Sequence, residues 1–338
     1  MVERARLRVG LIGAGVMGLT HAVSLLASAR AELVGVSALE VNLELAKLCE
    51  GSSVPVTDDP AALIRNSGLD AVVIASPTDT HLGLIEEAAG AGLHVFCEKP
   101  LALDEKEARS AVDACNQASV KLAVGHVVRY FPAYAGIGAL VKSGAVGPPG
   151  MAKCRRMSSP PGVARPWYAD NRRSGGIFLD LGVHDFDWLL WCFGPVQRVS
   201  ASAVERGAAQ VAMGVLVHEG GTISSVELSW GDPTGFWTAV EVSGPGGLLR
   251  HDSRTSASFR LDRFPANNEP RAPTVEVPVG EARYDPYREE MEDALSWFVG
   301  GPSPRGTPSD AVAAVALADA ARLSATNRET VTLMNGVG

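Results

Sequence analysis

The 338-residue chain has little of what marks the more specialised classes of protein. It has five cysteines, an odd number, at Cys49, Cys97, Cys115, Cys154 and Cys192, and no two of them form a C-x-x-C pair. This pattern supports neither a disulfide framework nor a zinc ribbon, and no metal site is expected. The five read instead as small buried hydrophobes in a reducing cytosol. Positive charge is also short, with 30 Lys and Arg against 38 Asp and Glu, a formal net charge of −8. With no basic run and no aromatic-interleaved basic patch, nucleic acid and anionic membrane surfaces are not expected partners. No apolar run approaches the roughly 20 residues needed to span a bilayer. Met1-Val2-Glu3-Arg4 leads into a strand almost at once, with no signal-peptide pattern, so a cytoplasmic protein is expected.

What is present is an ordinary globular composition, 46% hydrophobic and 20% charged, at a length that makes two domains the default. The first third alternates strand and helix patterns. Leu7 to Ile12 is an apolar, branched run, and Gly13-Ala14-Gly15-Val16-Met17-Gly18 follows at G-x-G-x-x-G spacing, before a helical pattern through about Ser28. In such a turn Gly13 permits the tight bend, Gly15 lets a pyrophosphate approach the backbone, and Gly18 lets the helix sit close on the strand. The free N–H groups at the helix start, around Val16 and Met17, then face the phosphates. With 36 glycines in the chain, chance alone supplies about 0.4 such triplets, so the weight lies in its position at the first strand-to-helix junction.

Further strands are expected at Glu32 to Ser37, Leu69 to Ala75, Leu93 to Cys97 and Lys121 to Gly125, with helices between them, including His81 to Gly90 and Asp104 to Ala118. Repeated βα units with apolar strands demand a parallel sheet covered on both faces, a doubly wound dinucleotide-binding domain over residues 1–125. The rhythm then changes. Gly- and Pro-rich joints (Gly144 to Gly150, Pro160-Pro161-Gly162) precede one strongly apolar helix from about Gly176 to Phe193. Strand-like runs follow at Val199 to Val204, Ala209 to Val217, Thr222 to Trp230 and Trp237 to Ser243, with weaker runs to Val279, suggesting a largely antiparallel open sheet. Two helices close the chain, Tyr287 to Phe298 and Ser309 to Ala325, the second Ala-rich on one face. Residues 126–338 are read as the second, substrate-binding and oligomerisation domain.

Several residues invite a chemical reading. Lys99 sits at a strand's C-terminal end, the edge where open α/β sheets bind ligands, and an ammonium there can hydrogen-bond a substrate hydroxyl and stabilise a developing alkoxide. Asp180 and His184 are four apart on an expected helix, hence on one face, where a carboxylate orients an imidazole and raises its basicity. Asp185 and Asp187 nearby are open between a supporting role and plain surface. Ser76-Pro77-Thr78 ends a strand beside the glycine-motif strand and can line a cofactor's ribose or nicotinamide side. His81 opens the next helix, as a cap or a cofactor contact. Rings and guanidinium groups suit a polyol, and Arg129, Trp167, Tyr168, Arg172 and Tyr284 fall in loops around the presumed cleft. Trp188 and Trp191 read as core.

The order of Gly13 to Gly18, Ala75-Ser76-Pro77-Thr78 with His81, Cys97-Glu98-Lys99-Pro100, and Gly175-Gly176-Ile177-Phe178-Leu179-Asp180-Leu181-Gly182-Val183-His184-Asp185 resembles the Gfo/Idh/MocA family of nicotinamide-dependent sugar and polyol oxidoreductases. The likeness extends to Pro304-Arg305-Gly306-Thr307-Pro308-Ser309-Asp310-Ala311. It implies a catalytic or substrate-orienting Lys99, a cis bond before Pro100, and Glu98 among the cofactor-side residues. Similarity to the inositol-dehydrogenase branch implies that Lys99, Asp180 and His184 contact the reacting hydroxyl, with His184 as proton acceptor. The expected activity is hydride transfer between NAD or NADP and a secondary hydroxyl, or its ketone, of a sugar, inositol or sugar derivative. A biliverdin- or diol-type reductase and a non-catalytic dinucleotide-binding sensor are the competing readings.

The choice between NAD and NADP stays open. Strand two ends Val36-Ser37-Ala38-Leu39-Glu40, with Ala38 where an NAD-selecting acid is usual, yet the nearest downstream cation is Lys47. Ser37 suits either ribose group, and Glu40 is a substitute for the missing acid. Val211, Met213, Val215 and Val217 alternate with Ala212, Gly214 and Leu216, so both sheet faces are fairly apolar and a homodimer or homotetramer is expected.

Overall fold

A computed structural model describes residues 6–41, 43–65, 68–161, 166–255, 259–263, 275–277 and 284–337. The leaderless start read at Met1 to Arg4, together with Gly162 and Val279, lies outside these residues. Two compact units emerge. The first comprises Met1–Val127 with Asp285–Val312, the second Val128–Tyr284 with Ala313–Gly338.

The first unit runs β1 (Leu7–Ile12), α1 (Val16–Ala27), β2 (Ala31–Ser37), α2 (Leu43–Ser52), β3 (Val56–Thr57), α3 (Pro60–Ile64), β4 (Ala71–Ile74), α4 (His81–Gly90), β5 (His94–Glu98), α5 (Glu105–Gln117) and β6 (Leu122–Gly125). The strands form a six-stranded sheet in the order β3-β2-β1-β4-β5-β6, parallel throughout. Such an order reverses direction between β1 and β4, and the crevice at the carboxyl ends of those strands is where this architecture binds ligands. Strand residues such as Val9, Leu11, Val72, Val73 and Val95 are at most 2% exposed, as helices on both faces require. Helix starts follow the expected chemistry: the Asp59 and Asp104 carboxylates accept the Ala62 and Glu107 N–H groups, with Pro60 at the first position of α3.

The second unit carries α6 (Pro132–Lys142), β7 (Met151–Ser158), α7 (Asn171–Ser174), α8 (Gly176–Asp180), α9 (Val183–Phe193), β8 (Val196–Arg206), β9 (Ala209–His218), β10 (Ile223–Trp230), β11 (Trp237–Gly244), β12 (Gly247–Asp252), β13 (Phe259–Arg263) and β14 (Val275–Val277). α10 (Pro286–Phe298) belongs to the first unit, α11 (Pro308–Asn327) passes from the first unit into the second, and β15 (Val331–Val337) closes the chain. The nine strands run in the order β14-β13-β12-β11-β7-β10-β9-β8-β15 and pair antiparallel except β7 with β10. One face is buried under α8 and α9, through Ala212, Leu216, Val226 and Leu228. On β9, Val211, Met213 and Val215 point the other way and are 47%, 54% and 45% exposed.

Four features depart from the sequence reading. Asp285–Val312 groups with the first unit, although residues 126–338 read as one domain: Met291, Ala294, Leu295 and Phe298 of α10 complete the core built by Leu7, Val9, Leu25 and Leu33. The helix expected over 176–193 is two, broken at Leu181 and Gly182. There the Gly182 N–H reaches five residues back to Ile177 O at 3.0 Å, and α9 restarts on Gly182 O, which accepts Phe186 N–H at 2.9 Å. A Cβ at Gly182 would lie 2.5 Å from Phe178 O and 2.9 Å from the Leu228 Cδ1, so the glycine at the break lets the backbone sit against β10. The Ala-rich last helix is buried around its circumference over Ala311 to Ala318, not on one face alone. Finally, α6, β7 and β15 form where the sequence pattern predicts no element.

Candidate active site

In the first unit the glycine turn has the geometry its spacing implies. Gly13 has φ +96°, and a Cβ there would come within 2.5 Å of Ala75 O. Its N–H donates to Ser37 O at 2.8 Å, and Ala75 N–H donates to Ile12 O at 2.8 Å, which ties β1 to the exits of β2 and β4. A Cβ on Gly18 would overlap the Gly13 carbonyl. Around Gly15, by contrast, a Cβ would meet nothing within 4 Å. Gly15 is the N-cap of α1, no side chain caps that end, and Val16 beside it is 55% exposed. An open backbone cradle at the positive end of a helix, with no acid in its first turn, suits a dinucleotide's pyrophosphate. The residues present therefore fit such a cofactor.

The β4 exit is a built turn. Ser76 Oγ lies 2.6 Å from Thr80 Oγ1, which donates to Pro77 O at 2.7 Å, while Thr78 is buried. His81 is not a surface contact for a cofactor. It is 1% exposed, with Nδ1 2.9 Å from Pro100 O and Nε2 3.0 Å from Ser76 O, so the ring joins the turn after β4 to the turn after β5. Burial pushes its pKa below the ordinary imidazole value, against the pull of those two carbonyls and of Glu98. Glu98 likewise is buried: Oε1 lies 2.6 Å from His21 Nε2, and Oε2 accepts the Lys99 N–H at 3.1 Å. Burial alone would raise the Glu98 carboxyl, but the His21 hydrogen bond and the charges of His21 and Lys99 outweigh it and hold Glu98 below the usual carboxylate range. Lys99 itself is half-buried at the end of β5, followed by a cis bond to Pro100. Ser37 is buried at the end of β2, whereas Leu39 is 89% exposed and Glu40 is exposed.

In the second unit, Asp180 is buried at the end of α8 and His184 is half-buried in the first turn of α9. They stand on two helices, so the four-residue spacing on one continuous helix does not describe them. His184 is the half-buried polar position in a run, Leu181 to Leu190, that is otherwise buried. Two buried ionic forks fix α9 behind it. Arg129 donates to Asp187 from Nε at 2.9 Å and from Nη2 at 2.6 Å, and Arg156 to Asp185 at 2.8 and 2.9 Å. Asp185 and Asp187 are thus interior anchors. Arg129, read as a substrate residue, is 1% exposed with its fork committed to Asp187. Arg156 and His21 are the members of these arrangements that sequence reasoning missed; the partners of Arg129 and Arg156 lie 58 and 29 residues away, with no local signal. His21 did carry one, a histidine on the α1 stripe Gly18, His21, Ala22, Leu25 that faces the core.

The remaining candidates are dispersed. Trp167 and Tyr168 stack at 3.9 Å between centroids, and Ser174 Oγ donates to Tyr168 O at 3.1 Å. Arg172 has a 90% exposed side chain held by Asp170, and Tyr284 is exposed with its hydroxyl donating to Tyr130 O at 2.9 Å. Trp188 is fully buried and Trp191 half-buried under the Lys142 ammonium, 3.7 Å from the ring centroid. No group of three or more His, Cys, Asp or Glu side chains among the described residues is arranged to hold a metal ion. No helix among them is long and apolar enough to cross a membrane.

Residues 7–126 match the model of an oxidoreductase family with an NAD-binding Rossmann fold, and residues 134–250 match the Gfo/Idh/MocA C-terminal domain. The chain belongs to the Gfo/Idh/MocA family. Inositol 2-dehydrogenase of Rhizobium meliloti is 30% identical over 340 residues, covering 96% of this chain and 99% of that protein. D-apiose dehydrogenase of Paraburkholderia graminis is 32% identical over 291 residues, 81% of this chain and 76% of that one. Among solved structures, GenD2 from gentamicin A biosynthesis, in complex with NAD, superposes with a TM-score of 0.85 at 27% identity, covering 97% of this chain and 96% of that one. As a Gfo/Idh/MocA member the chain is an oxidoreductase built on a dinucleotide-binding fold.

Proposed function

We propose that this protein oxidises a secondary hydroxyl of a sugar, inositol or sugar derivative, or reduces the corresponding ketone, with Lys99 and His184 handling the proton. The observation that carries the reading is Lys99, a half-buried amine at the carboxyl edge of β5, on the same sheet edge as the open backbone cradle at Gly15. The substrate class is supported by the relatives, whose names specify inositol and apiose as substrates.

Gly13, Gly15 and the N–H groups of Val16 and Met17 hold the pyrophosphate, while Ser37, Ser76, Pro77 and Thr78 line the ribose and nicotinamide side. When bound, the nicotinamide supplies the hydride acceptor, or the donor in the reverse direction. The Lys99 ammonium hydrogen-bonds the reacting hydroxyl and stabilises negative charge that develops on its oxygen. The neutral His184 imidazole accepts the hydroxyl proton, and the Asp180 carboxylate favours the imidazolium that results. Trp167, Tyr168, Arg172 and Tyr284 offer ring faces and donors for a polyol. The cofactor is NAD or NADP. The stretch after β2 has an exposed Glu40 and no cation before Lys47, which removes the usual grip on a 2′-phosphate.

The exposed row Val211, Met213 and Val215, with Val204 and Ile223 at 51% and 49% exposure, supports a dimer or tetramer in which this sheet face is covered; light scattering showing a monomer would refute that. Cys49, Cys97, Cys115, Cys154 and Cys192 are all unbridged, which supports a reducing, cytosolic location.

The test is NAD(P)H formation with NAD⁺ and NADP⁺ in parallel across inositols, aldoses and sugar acids. Lys99→Ala and His184→Ala are each expected to lower turnover about 10²–10⁴-fold, the usual worth of a positioned proton-transfer group. Turnover of His184→Ala within a few-fold of the parent would overturn its role. Tight dinucleotide binding with no turnover on any of the panel would favour a sensor.

A further inference from the structure

The His21–Glu98 pair is an expensive feature of the first unit. His21 is fully buried on α1, one turn past Gly18. Its ring meets two β5 residues on one side of that strand: Phe96, edge-on at 5.0 Å between centroids, and Glu98, at 2.6 Å from Nε2 to Oε1. Its Nδ1 is buried and meets no hydrogen-bond partner among the described residues. Glu98 is boxed from the other side by β6, where a Cβ on Gly125 would lie 3.2 Å from its carboxyl carbon. A buried ionic pair is weak as a source of stability, because desolvation consumes most of the attraction, and apolar residues of equal size would serve packing as well. The arrangement does one thing that apolar residues would not. It fixes a carboxylate whose second oxygen accepts the backbone N–H of Lys99.

We infer that His21 is a positioning residue for Lys99: through Glu98, it locks the turn that carries the amine to the helix whose first turn forms the phosphate cradle. The inference rests on the proposed proton-handling role of Lys99. His21 touches neither substrate nor cofactor in this scheme. It sets the orientation of Glu98, and Glu98 sets the backbone of Lys99 through the Lys99 N–H. The other titratable groups facing Glu98 are His81 and Cys97, and the carboxylate influences both. Geometry errors of about 1 Å at a reacting group cost up to 10²-fold, so a change confined to His21 has room to act at a distance.

The test uses the full-length protein and four variants, His21→Leu, His21→Gln, Glu98→Gln and Lys99→Met, each first checked by circular dichroism and thermal unfolding. The expected result for His21→Leu is a fall in kcat of about 10–100-fold with NADH dissociation constant, by isothermal titration calorimetry, changed less than about threefold. Glu98→Gln is expected to lower kcat to a similar extent, with the NADH dissociation constant likewise within about threefold. His21→Gln, which retains a donor toward Glu98, restores kcat. If Lys99→Met abolishes turnover while His21→Leu leaves kcat unchanged, the positioning role is refuted and the function of Lys99 stands. If His21→Leu instead weakens NADH more than about tenfold, the pair supports the cradle and the inference also fails. If Lys99→Met retains turnover, the proposed function itself is wrong.

Discussion

Alanine at Gly15 and at Gly18 should separate ligand geometry from protein packing within one motif. At Gly15 the backbone is extended, φ −69° and ψ −169°, which alanine adopts freely, and the new methyl meets no atom within 4 Å. Two small terms oppose each other. Restricting the unfolded chain stabilises by about 0.4–1 kcal/mol, and alanine is the poorer N-cap by roughly 1 kcal/mol. The net is near zero, so the melting temperature should stay within about 2–4 °C of the parent. At Gly18 the methyl would overlap the Gly13 carbonyl oxygen and sit 2.8 Å from its carbon, both backbone atoms that cannot rotate away. Overpacking of that kind costs about 1–3 kcal/mol or more, or about 5–10 °C in melting temperature for a unit of this size. The ligand effect runs the other way. The Gly15 methyl occupies the approach of the pyrophosphate, and loss of one or two charge-assisted hydrogen bonds at about 1.5–3 kcal/mol each weakens NADH by about tenfold or more. Scanning fluorimetry and calorimetric titration with NADH read both quantities. A Gly15→Ala variant that binds NADH like the parent, or that melts as early as Gly18→Ala, would refute the assignment of separate roles.

Two further outcomes follow from the buried polar groups. Arg129→Ala strands the Asp187 carboxylate in a site 1% exposed and is expected to cost about 3–5 kcal/mol in urea unfolding, whereas Arg129→Met with Asp187→Leu should recover most of it; an equal loss in both would show that the fork itself, not the stranded charge, matters. His81 and His218 are held by burial below the ordinary imidazole value of 6.5, so the unfolded chain binds protons that the folded chain refuses. Their contribution is complete above about pH 6.5 and is lost as pH falls through the folded values, at up to about 1.4 kcal/mol per pH unit for each. The urea midpoint should therefore fall between pH 7.5 and 5.5, and a doubly substituted His81→Gln, His218→Gln protein that keeps the same slope would count against this origin.

The first unit was legible because its signals are local. Apolar strand runs, the Asp59 and Asp104 caps and the glycine triplet each act over a few residues, and the parallel sheet follows from their alternation. In the candidate site the sequence reading rests on single residues whose identity carries the chemistry, as with Lys99 and His184. What escaped depends on distant partners. Arg129 looks like a ligand for a polyol until Asp187 is seen to accept from its Nε and Nη2 in the interior. His81 reads as a cap or a cofactor contact at a helix start until two carbonyls from different loops are found at its nitrogens. The helical reading over 176–193 missed the break at Gly182, because both helices, charged residues included, are buried nearly all round and a periodicity test needs a polar face.

The return of α10 to the first unit has a consequence for the order in which the protein can be made. The sheet of that unit is complete in sequence by Gly125, but Met291, Ala294, Leu295 and Phe298 belong to its core. On the ribosome those side chains emerge only after all the strands from β7 to β14. At the usual elongation rate of about 5–20 residues per second, the nascent sheet waits on the order of ten to thirty seconds with one apolar side uncovered. A fragment ending at Val127 would remain in that state permanently. The stretch most exposed to chaperone capture or to mispairing during synthesis is thus the α1 surface that α10 later seals, at the opposite end of the message from the codons that protect it.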